Sequence, residues 1–305
     1  MSQKTPFRFL IPRGRLFERV CKYLAIIGIV IDEPDRSGYC GSMKVADIDV
    51  EFWIRKPSMI PRLLTQESAT ILFQAGMTGE DMMLASGIGG LDKVATLTFS
   101  SRTFRPTRWV LAGLREQLGG RKLPVIQEHS LKIGCEWLRL GEKLLQHSSI
   151  SNLQVELVPL CGNEESAICN GLCEWVICPT ETGESLSESG LEAKVELMDS
   201  FPCIFSRTNL SEKHRKILDG IVTALGAADA AAQQVMVTFD ISAGKTAQIT
   251  FPDYVISPTI LPLLKEGWEA GEICIKRADL LIVLPTLKDA GARRIVVADV
   301  QAYIE

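Results

Sequence analysis

Short apolar runs alternate with amphipathic stretches along the first third of the chain. Residues 7–11 form an apolar-rich run, and residues 16–27 carry apolar side chains at the spacing of one helix face. Further apolar runs at 49–54 and 70–76 each lead into a segment with helical features, the second of them acidic in its first turn. This alternation predicts strands and helices of the layered α/β class.

The middle of the chain continues the alternation. The spacing of its leucines predicts one helix over 131–145, and residues 212–232 are typical of a long helix. Apolar runs predict strands at 109–112, 155–160, 175–178 and 194–206.

The last quarter of the chain has a pattern of its own. Strands are predicted at 235–240, 271–276 and 294–298, with a helix at 280–290. This fits the β-α-β-β-α-β order of a small ferredoxin-like domain.

The composition is that of a folded protein with several domains. The 305 residues are 46% hydrophobic and 23% charged, which is enough apolar surface for two or three domains. The 33 basic and 37 acidic residues give a formal net charge of −4, which argues against a broad face for nucleic acid. Because we find neither an apolar run long enough for a transmembrane helix nor a secretory signal, we expect a cytoplasmic protein with no membrane partner.

The cysteines favour reduced, buried thiols. The chain has 9 cysteines without a Cys-x-x-Cys pair, and its 3 histidines lie outside the group formed by Cys169, Cys173 and Cys178. A zinc site would require tighter pairs or nearby histidines.

A polar turn directly after the predicted strand at 175–178 is a candidate phosphate site. Residues 181–186 (ETGESL) would expose backbone N–H groups at the start of a helix, where Gly183 lets an anion approach. The Thr182 and Ser185 hydroxyls would add donors. The alternative is an ordinary helix cap formed by the same hydroxyls.

Charged residues near strand ends could complete such a site. Arg13 and Arg15 flank a glycine after the first strand, and the arginine fork suits phosphate. Carboxylates could hold Mg²⁺ or ribose hydroxyls. The acidic candidates are Glu164, Glu165, Glu174 and Glu181, and the further basic candidates are Arg55 and Arg108. For each of them the alternative is a solvated surface charge.

The order and spacing of several segments resemble the long form of ATP phosphoribosyltransferase over nearly the whole chain. Residues 174–191 match, without gaps, the segment that in this family holds phosphoribosyl pyrophosphate (PRPP). The other matching segments are 11–16 (IPRGRL), Arg55 with 60–61, 76–81 (GMTGED), 161–165 (CGNEE), 257–263 (SPTILPL) and 289–292 (DAGA).

The resemblance implies a two-lobed catalytic core similar to periplasmic binding proteins, followed by a ferredoxin-like (ACT-like) domain. The chain would cross twice between the lobes. The first lobe would comprise 1–103 and 193–228, the second lobe 104–192 with the PRPP loop, and the regulatory-type domain 229–305. The family resemblance also implies a homo-oligomer, either a dimer or a hexamer.

The resemblance further implies the reaction and its residues. The family joins the phosphoribosyl group of PRPP to N1 of ATP with Mg²⁺ and releases pyrophosphate, which opens histidine biosynthesis. Glu165 and Glu174 would lie near the ribose and the metal, and Arg15 would complete the catalytic set. The residues implied to hold phosphates are Thr182, Gly183, Glu184, Ser185 and Leu186 of the loop, together with Arg13, Arg15, Arg55 and Arg108.

Several family positions differ in this chain. Cys178 stands where the family has a second Asp before the loop, and a neutral thiol lacks the charge of a carboxylate. Glu174 replaces an Asp, and Asn163 replaces a Ser. Residues 125–128 (VIQE) lack the family's Thr-x-[YF]-Pro, and Glu272 lies near the position of a family His, which argues against feedback by histidine.

These differences leave three alternatives open. The chain could be the histidine-pathway enzyme, or a related phosphoribosyltransferase recruited to nucleoside biosynthesis of the coformycin or pentostatin type. The third alternative is a non-catalytic regulatory protein that binds nucleotide or PRPP.

Overall fold

The computed structural model describes most of the chain, which forms two compact units. The described residues are 5–26, 28–31, 34–45, 48–67, 70–99, 103–115, 130–148, 151, 154–162, 164–255 and 258–304. The side chains of Arg15 and Glu165 lie outside this description. One unit comprises Met1–Lys22 with Ile29–Val222, and the other Tyr23–Gly28 with Thr223–Glu305.

The strands and helices have the following bounds in chain order. The strands are β1 (Phe7–Pro12), β2 (Tyr39–Val45), β3 (Ile48–Arg55), β4 (Ala75–Gly79), β5 (Leu91–Thr96), β6 (Thr107–Leu114), β7 (Leu131–Cys135), β8 (Val155–Pro159), β9 (Trp175–Thr180), β10 (Leu191–Ser200), β11 (Pro202–Arg207), β12 (Gln234–Ser242), β13 (Thr259–Pro262), β14 (Trp268–Lys276) and β15 (Arg293–Asp299). The helices are α1 (Arg15–Ile26), α2 (Ile60–Thr65), α3 (Glu80–Ser86), α4 (Leu138–Gln146), α5 (Glu164–Cys169), α6 (Glu184–Glu188), α7 (Glu212–Ala232) and α8 (Leu280–Asp289).

The first lobe is built on a six-stranded sheet with the order β2-β3-β1-β4-β11-β5. The central strand β1 pairs in parallel with β3 and β4, and β11 runs antiparallel to β4 and β5. Phe9, Leu10 and Ile11 of β1 are fully buried. A continuous apolar run is what a parallel strand covered on both faces requires.

The second lobe repeats this arrangement in a five-stranded sheet with the order β10-β6-β9-β7-β8. Here β7 is parallel to β8 and β9, and β6 runs antiparallel to β9 and β10. The chain therefore leaves the first sheet after β5 and returns to it after β10. This double crossing confirms the predicted two-lobed α/β core.

The C-terminal domain has a four-stranded sheet with the ferredoxin-like order β13-β14-β12-β15. Val235, Val237 and Phe239 of β12 pack with Val283 and Leu287 of α8 in one apolar cluster. A short 3-10 helix at Thr246–Gln248 occupies the first connection, where the pattern predicts an α-helix. The ferredoxin-like fold class is otherwise confirmed.

Three predicted boundaries differ from the structure. Residues 131–145 form β7 and α4 rather than one helix, because Leu131, Ile133 and Cys135 alternate with exposed Lys132 at the period of a strand. The strand predicted at 70–76 is β4, which begins only at Ala75. The return to the first lobe, predicted at residue 193, follows Ser200, because β10 pairs with β6 over its whole length.

Some predicted features cannot be located. The altered segment 125–128, Asn163 and Ser257 lie outside the described residues. No helix in the described part of the chain has the length and apolar character needed to cross a membrane.

Candidate active site

The loop between β9 and α6 makes a tight turn at the carboxyl end of β9. Gly183 has a φ of 82°, a left-handed conformation that glycine adopts at little cost. Its N–H donates to Thr180 Oγ1 (2.9 Å), and the Glu184 N–H donates to Thr182 Oγ1 (3.4 Å). The turn is thus held by its own threonines.

The same loop presents donors to solvent. Leu186 is buried and anchors the helix, whereas Thr182 and Ser185 are exposed. The N–H groups of Ser185 and Leu186 lie in the first turn of α6, where no preceding helical turn supplies an acceptor for them. First-turn N–H groups of this kind, next to exposed hydroxyls, are suited to binding an anion.

A carboxylate ties the loop to the first crossing between the lobes. Glu181 Oε1 accepts hydrogen bonds from the N–H and the Oγ1 of Thr103, both at 2.8 Å. The Thr103 carbonyl in turn accepts from Arg19 Nη1 of α1 at 2.9 Å. Sequence reasoning missed Thr103 and Arg19, because their positions are far apart in the chain and carry no motif.

Cys178 lies in the core of the second lobe. Its side chain is 5% exposed and belongs to an apolar cluster that includes Val110 and Leu186. The residue directly across from it on β6 is Val110. At this position the thiol therefore packs as a small apolar group.

Arg108 is the second residue of β6 and lies beside the loop. It lies directly across from Thr180 at the end of β9. Its Nη1 donates to Glu196 Oε1 on β10 at 2.7 Å; the Glu196 side chain is largely solvated, whereas that of Arg108 is partly buried. The structure therefore places Arg108 next to the loop, with its guanidinium engaged by a surface carboxylate.

The carboxyl ends of β1 and β3 bring two predicted arginines together. The Arg13 N–H donates to the Arg55 carbonyl at 2.7 Å, and the Arg13 side chain is exposed. The Arg55 guanidinium stacks 5.4 Å from the ring centroid of Trp53 and 5.9 Å from that of Phe73. Its Nη1 donates to the Ile54 carbonyl at 2.7 Å, so Arg55 is held against the sheet edge.

Gly38 makes room for that guanidinium. A Cβ added at Gly38 would lie 2.2 Å from Arg55 Nη1 and 2.8 Å from the Ile54 carbonyl oxygen. The residue also has a φ of 82°. Only the absence of a side chain permits this contact, which no sequence motif indicated.

Glu174 does not lie with the other predicted site residues. It precedes β9, whereas the loop follows β9, and six residues of strand span roughly 20 Å. Its Oε2 accepts a hydrogen bond from the Lys132 N–H at 3.1 Å. Glu174 therefore lies at the amino end of β9, one strand length from the loop, which does not fit its predicted placement near the ribose and the metal.

Two further predicted residues are described only by their backbones. Arg15 is the first residue of α1, directly after the turn that contains Arg13. Glu165 lies in the first turn of α5, which follows the carboxyl end of β8. Both helices begin at the carboxyl edges of their sheets, where ligands bind in open α/β folds.

The described side chains do not form a resident metal site. Among them, no group of three His, Cys, Asp or Glu side chains could hold an ion. Glu181 at the loop is engaged by Thr103, and Cys178 is buried among apolar groups. The described donors are compatible with a magnesium ion that takes most of its ligands from water and substrate phosphates.

Comparison with known proteins decides the family. The family model HisG, described as ATP phosphoribosyltransferase, matches residues 56–227. The chain belongs to the ATP phosphoribosyltransferase family. The family model for the HisG C-terminal domain matches residues 231–302. The chain is therefore a long-form member of the family, in which this domain follows the catalytic core.

Individual relatives agree with this assignment. The ATP phosphoribosyltransferase of Trichlorobacter lovleyi is 25% identical over 296 residues, which are 96% of this chain and 97% of the relative. That of Kocuria rhizophila is 30% identical over 234 residues, 74% of this chain and 76% of the relative. A solved structure, the ATP phosphoribosyl transferase (HisG:HisZ) complex from Thermotoga maritima, covers 72% of this chain and 96% of its own with a TM-score of 0.56 at 23% identity, which supports the fold.

Proposed function

We propose that the chain transfers the phosphoribosyl group of PRPP to N1 of ATP and releases pyrophosphate, as the first step of histidine biosynthesis. The family membership supports the reaction. The observation that carries the site is the loop at 182–186, which brings the first-turn N–H groups of α6 and the exposed hydroxyls of Thr182 and Ser185 to the carboxyl end of β9.

In this proposal the loop binds the 5′-phosphate. The N–H groups of Ser185 and Leu186 donate to the phosphate oxygens, and the exposed hydroxyls of Thr182 and Ser185 add further donors. Gly183 leaves space above the turn, since a Cβ built there meets nothing within 4 Å. A phosphate can therefore approach the backbone closely.

The arginines bind the diphosphate that departs. Arg13 and Arg55 share one sheet edge, and Arg108 borders the loop. Permanent positive charge stabilises the negative charge that develops on pyrophosphate as the glycosidic bond breaks. Mg²⁺ bound to the diphosphate would supply further charge neutralisation, as is general in this family. We include Arg15 and Glu165 in the proposed site, and we exclude Glu174 because of its position.

The nucleophile needs no dedicated base. The adenine N1 carries a lone pair and no proton, so it can attack the anomeric carbon directly. The demands on the protein are orientation of the two substrates and stabilisation of opposite charges on ribose and pyrophosphate.

The test is pyrophosphate release with PRPP, ATP and Mg²⁺. The double variant Thr182→Ala with Ser185→Ala should lose activity by at least about tenfold, as expected for two lost phosphate donors. Ser187→Ala, which removes an exposed hydroxyl of the same helix, is the matched control. An unchanged rate in the double variant would show that the loop is wrongly assigned.

Cys178 supports one second candidate, a non-catalytic protein that binds PRPP or nucleotide. The family's Asp position holds a buried thiol in this chain, so it supplies no carboxylate to a ribose or a metal. This candidate predicts ligand-dependent stabilisation of roughly 2.7 kcal/mol at 100 times the Kd, without turnover. Detection of phosphoribosyl-ATP would eliminate it, and growth of a histidine auxotroph carrying the chain would separate the histidine pathway from a recruited nucleoside pathway.

A further inference from the structure

Asp81 is a buried carboxylate at the start of α3 that the proposed reaction does not use. It is 9% exposed, and its Oδ1 accepts the N–H of Met82 at 2.8 Å. A Cβ at Gly79 would lie 2.1 Å from Asp81 Oδ1. Because Gly79 has no side chain, the Asp81 carboxylate can bend back toward the backbone of the segment 76–81 (GMTGED).

This residue contacts both places where the chain passes between the lobes. Asp81 Oδ2 accepts from Trp109 Nε1 of β6 at 2.9 Å, at the first crossing. The Asp81 N–H donates to Ser200 Oγ at 3.2 Å, and the neighbouring Glu80 N–H donates to the Phe201 carbonyl at 3.1 Å, at the second crossing. One turn of the first lobe thus bonds to both connections.

The bond from Trp109 lies inside an apolar contact between the lobes. Trp109 is 2% exposed and belongs to the core of the second lobe. Met82, Leu84 and Ala85 of α3 pack against that same cluster. A hydrogen bond to a carboxylate is stronger and more directional where water is excluded.

A cavity lies beside the two crossings. A cavity of about 230 Å³ borders Asp81 and is lined by residues of both crossings, among them Thr107, Ser200 and Phe201. Side-chain packing therefore does not fill all of the space between the crossings, whereas the hydrogen bonds of Asp81 connect α3 directly to both of them.

We propose that the hydrogen bond between Asp81 and Trp109 sets the angle between the two lobes and thereby aligns the two ends of PRPP. Both are positioning residues, because they act through the lobes and do not touch the substrate. This inference rests on the proposed function, in which the loop at 182–186 holds the 5′-phosphate and arginines of the first lobe hold the diphosphate. A substrate that bridges the lobes depends on their angle, whereas a ligand that contacts one lobe does not.

The experiment compares a bridging ligand with a one-lobe ligand. Trp109→Phe removes the Nε1 donor and keeps an aromatic ring. It should raise KM for PRPP or lower kcat by about tenfold, the scale of one hydrogen bond to a charged group. Binding of ribose 5-phosphate, measured by calorimetry, should stay within about twofold, because this ligand needs only the loop. Asp81→Asn, which keeps the side-chain shape, should act in the same direction.

Trp175→Phe is the matched control. Trp175 lies in the same apolar cluster, so this variant reports the cost of the ring change alone. If Trp109→Phe and Trp175→Phe have equal kinetic constants, or if Trp109→Phe weakens ribose 5-phosphate as much as PRPP, the inference is wrong. Lack of turnover in the unmodified chain would instead contradict the proposed function, so the two failures are distinguishable.

Discussion

The two lobes offer phosphate groups different kinds of binding edge. In the second lobe the donors to phosphate are backbone N–H groups, in a loop that is fixed by Thr180 and by the buried Leu186. In the first lobe the donors are side chains, namely an exposed Arg13 and an Arg55 that is held by two aromatic rings. Backbone donors persist through most substitutions, whereas a cation keeps its position only while its neighbours hold it.

The largest effect is expected at Gly38, because the Arg55 guanidinium occupies the space that a side chain at position 38 would take. Gly38→Ala would place a Cβ 2.2 Å from Arg55 Nη1 and would strain a φ of 82°. We expect a loss of about 3 kcal/mol in the free energy of unfolding and at least a tenfold fall in kcat/KM for PRPP. Denaturant unfolding and steady-state kinetics measure the two effects.

Gly90→Ala is the control for that variant. Gly90 has a similar φ of 79° but open space around its Cβ position. Gly90→Ala should lower the free energy of unfolding through backbone strain and leave kcat/KM for PRPP unchanged. Equal losses of kcat/KM in both variants would mean that the reaction does not depend on the position of the Arg55 guanidinium.

A smaller effect is expected from restoring the family's carboxylate in the second lobe. Cys178→Asp would put a charge among Val110 and Leu186 in an apolar cluster. We expect it to lower the free energy of unfolding by about 2 kcal/mol or more, since moving a charge from water into apolar surroundings is costly. Cys178→Ala should cost less, and greater stability of the Asp variant would show that partners for a carboxylate remain.

The sequence predicts the fold better than it predicts the site, and particular residues show why. Segments such as 175–186 are local, so their strand, turn and helix follow from adjacent residues. Glu174 was misplaced because a motif match gives order along the chain but not the end of the strand at which a side chain lies. The bonds Thr103–Glu181 and Asp81–Trp109 join residues 78 and 28 positions apart, and only the tertiary fold brings them together.

The ion pair beside the loop should contribute little to stability. Arg108 and Glu196 have side chains 36% and 70% exposed, so Glu196→Gln should change the free energy of unfolding by less than about 1 kcal/mol. If Arg108 serves the diphosphate, releasing it should lower KM for PRPP slightly. A marked loss of stability would show that the pair is structural.

The smallest effects concern thiol reactivity. Cys161, between β8 and α5, and Cys169, at the end of α5, are both exposed. PRPP should slow alkylation of Cys161 by a few-fold and leave the alkylation rate of Cys169 unchanged, as measured by mass spectrometry.

Burial raises the pKa of the Cys135 thiol to about 11, so near pH 8 this thiol stays protonated and should react only after unfolding. Rapid labelling of Cys135, or equal protection of Cys161 and Cys169, would contradict this.

A crystal structure of the chain with bound PRPP would show where the 5′-phosphate lies. We expect the 5′-phosphate within hydrogen-bond distance of the N–H groups of Ser185 and Leu186, with the diphosphate directed toward Arg13 and Arg55. A phosphate bound elsewhere, with the loop at 182–186 empty, would contradict this expectation.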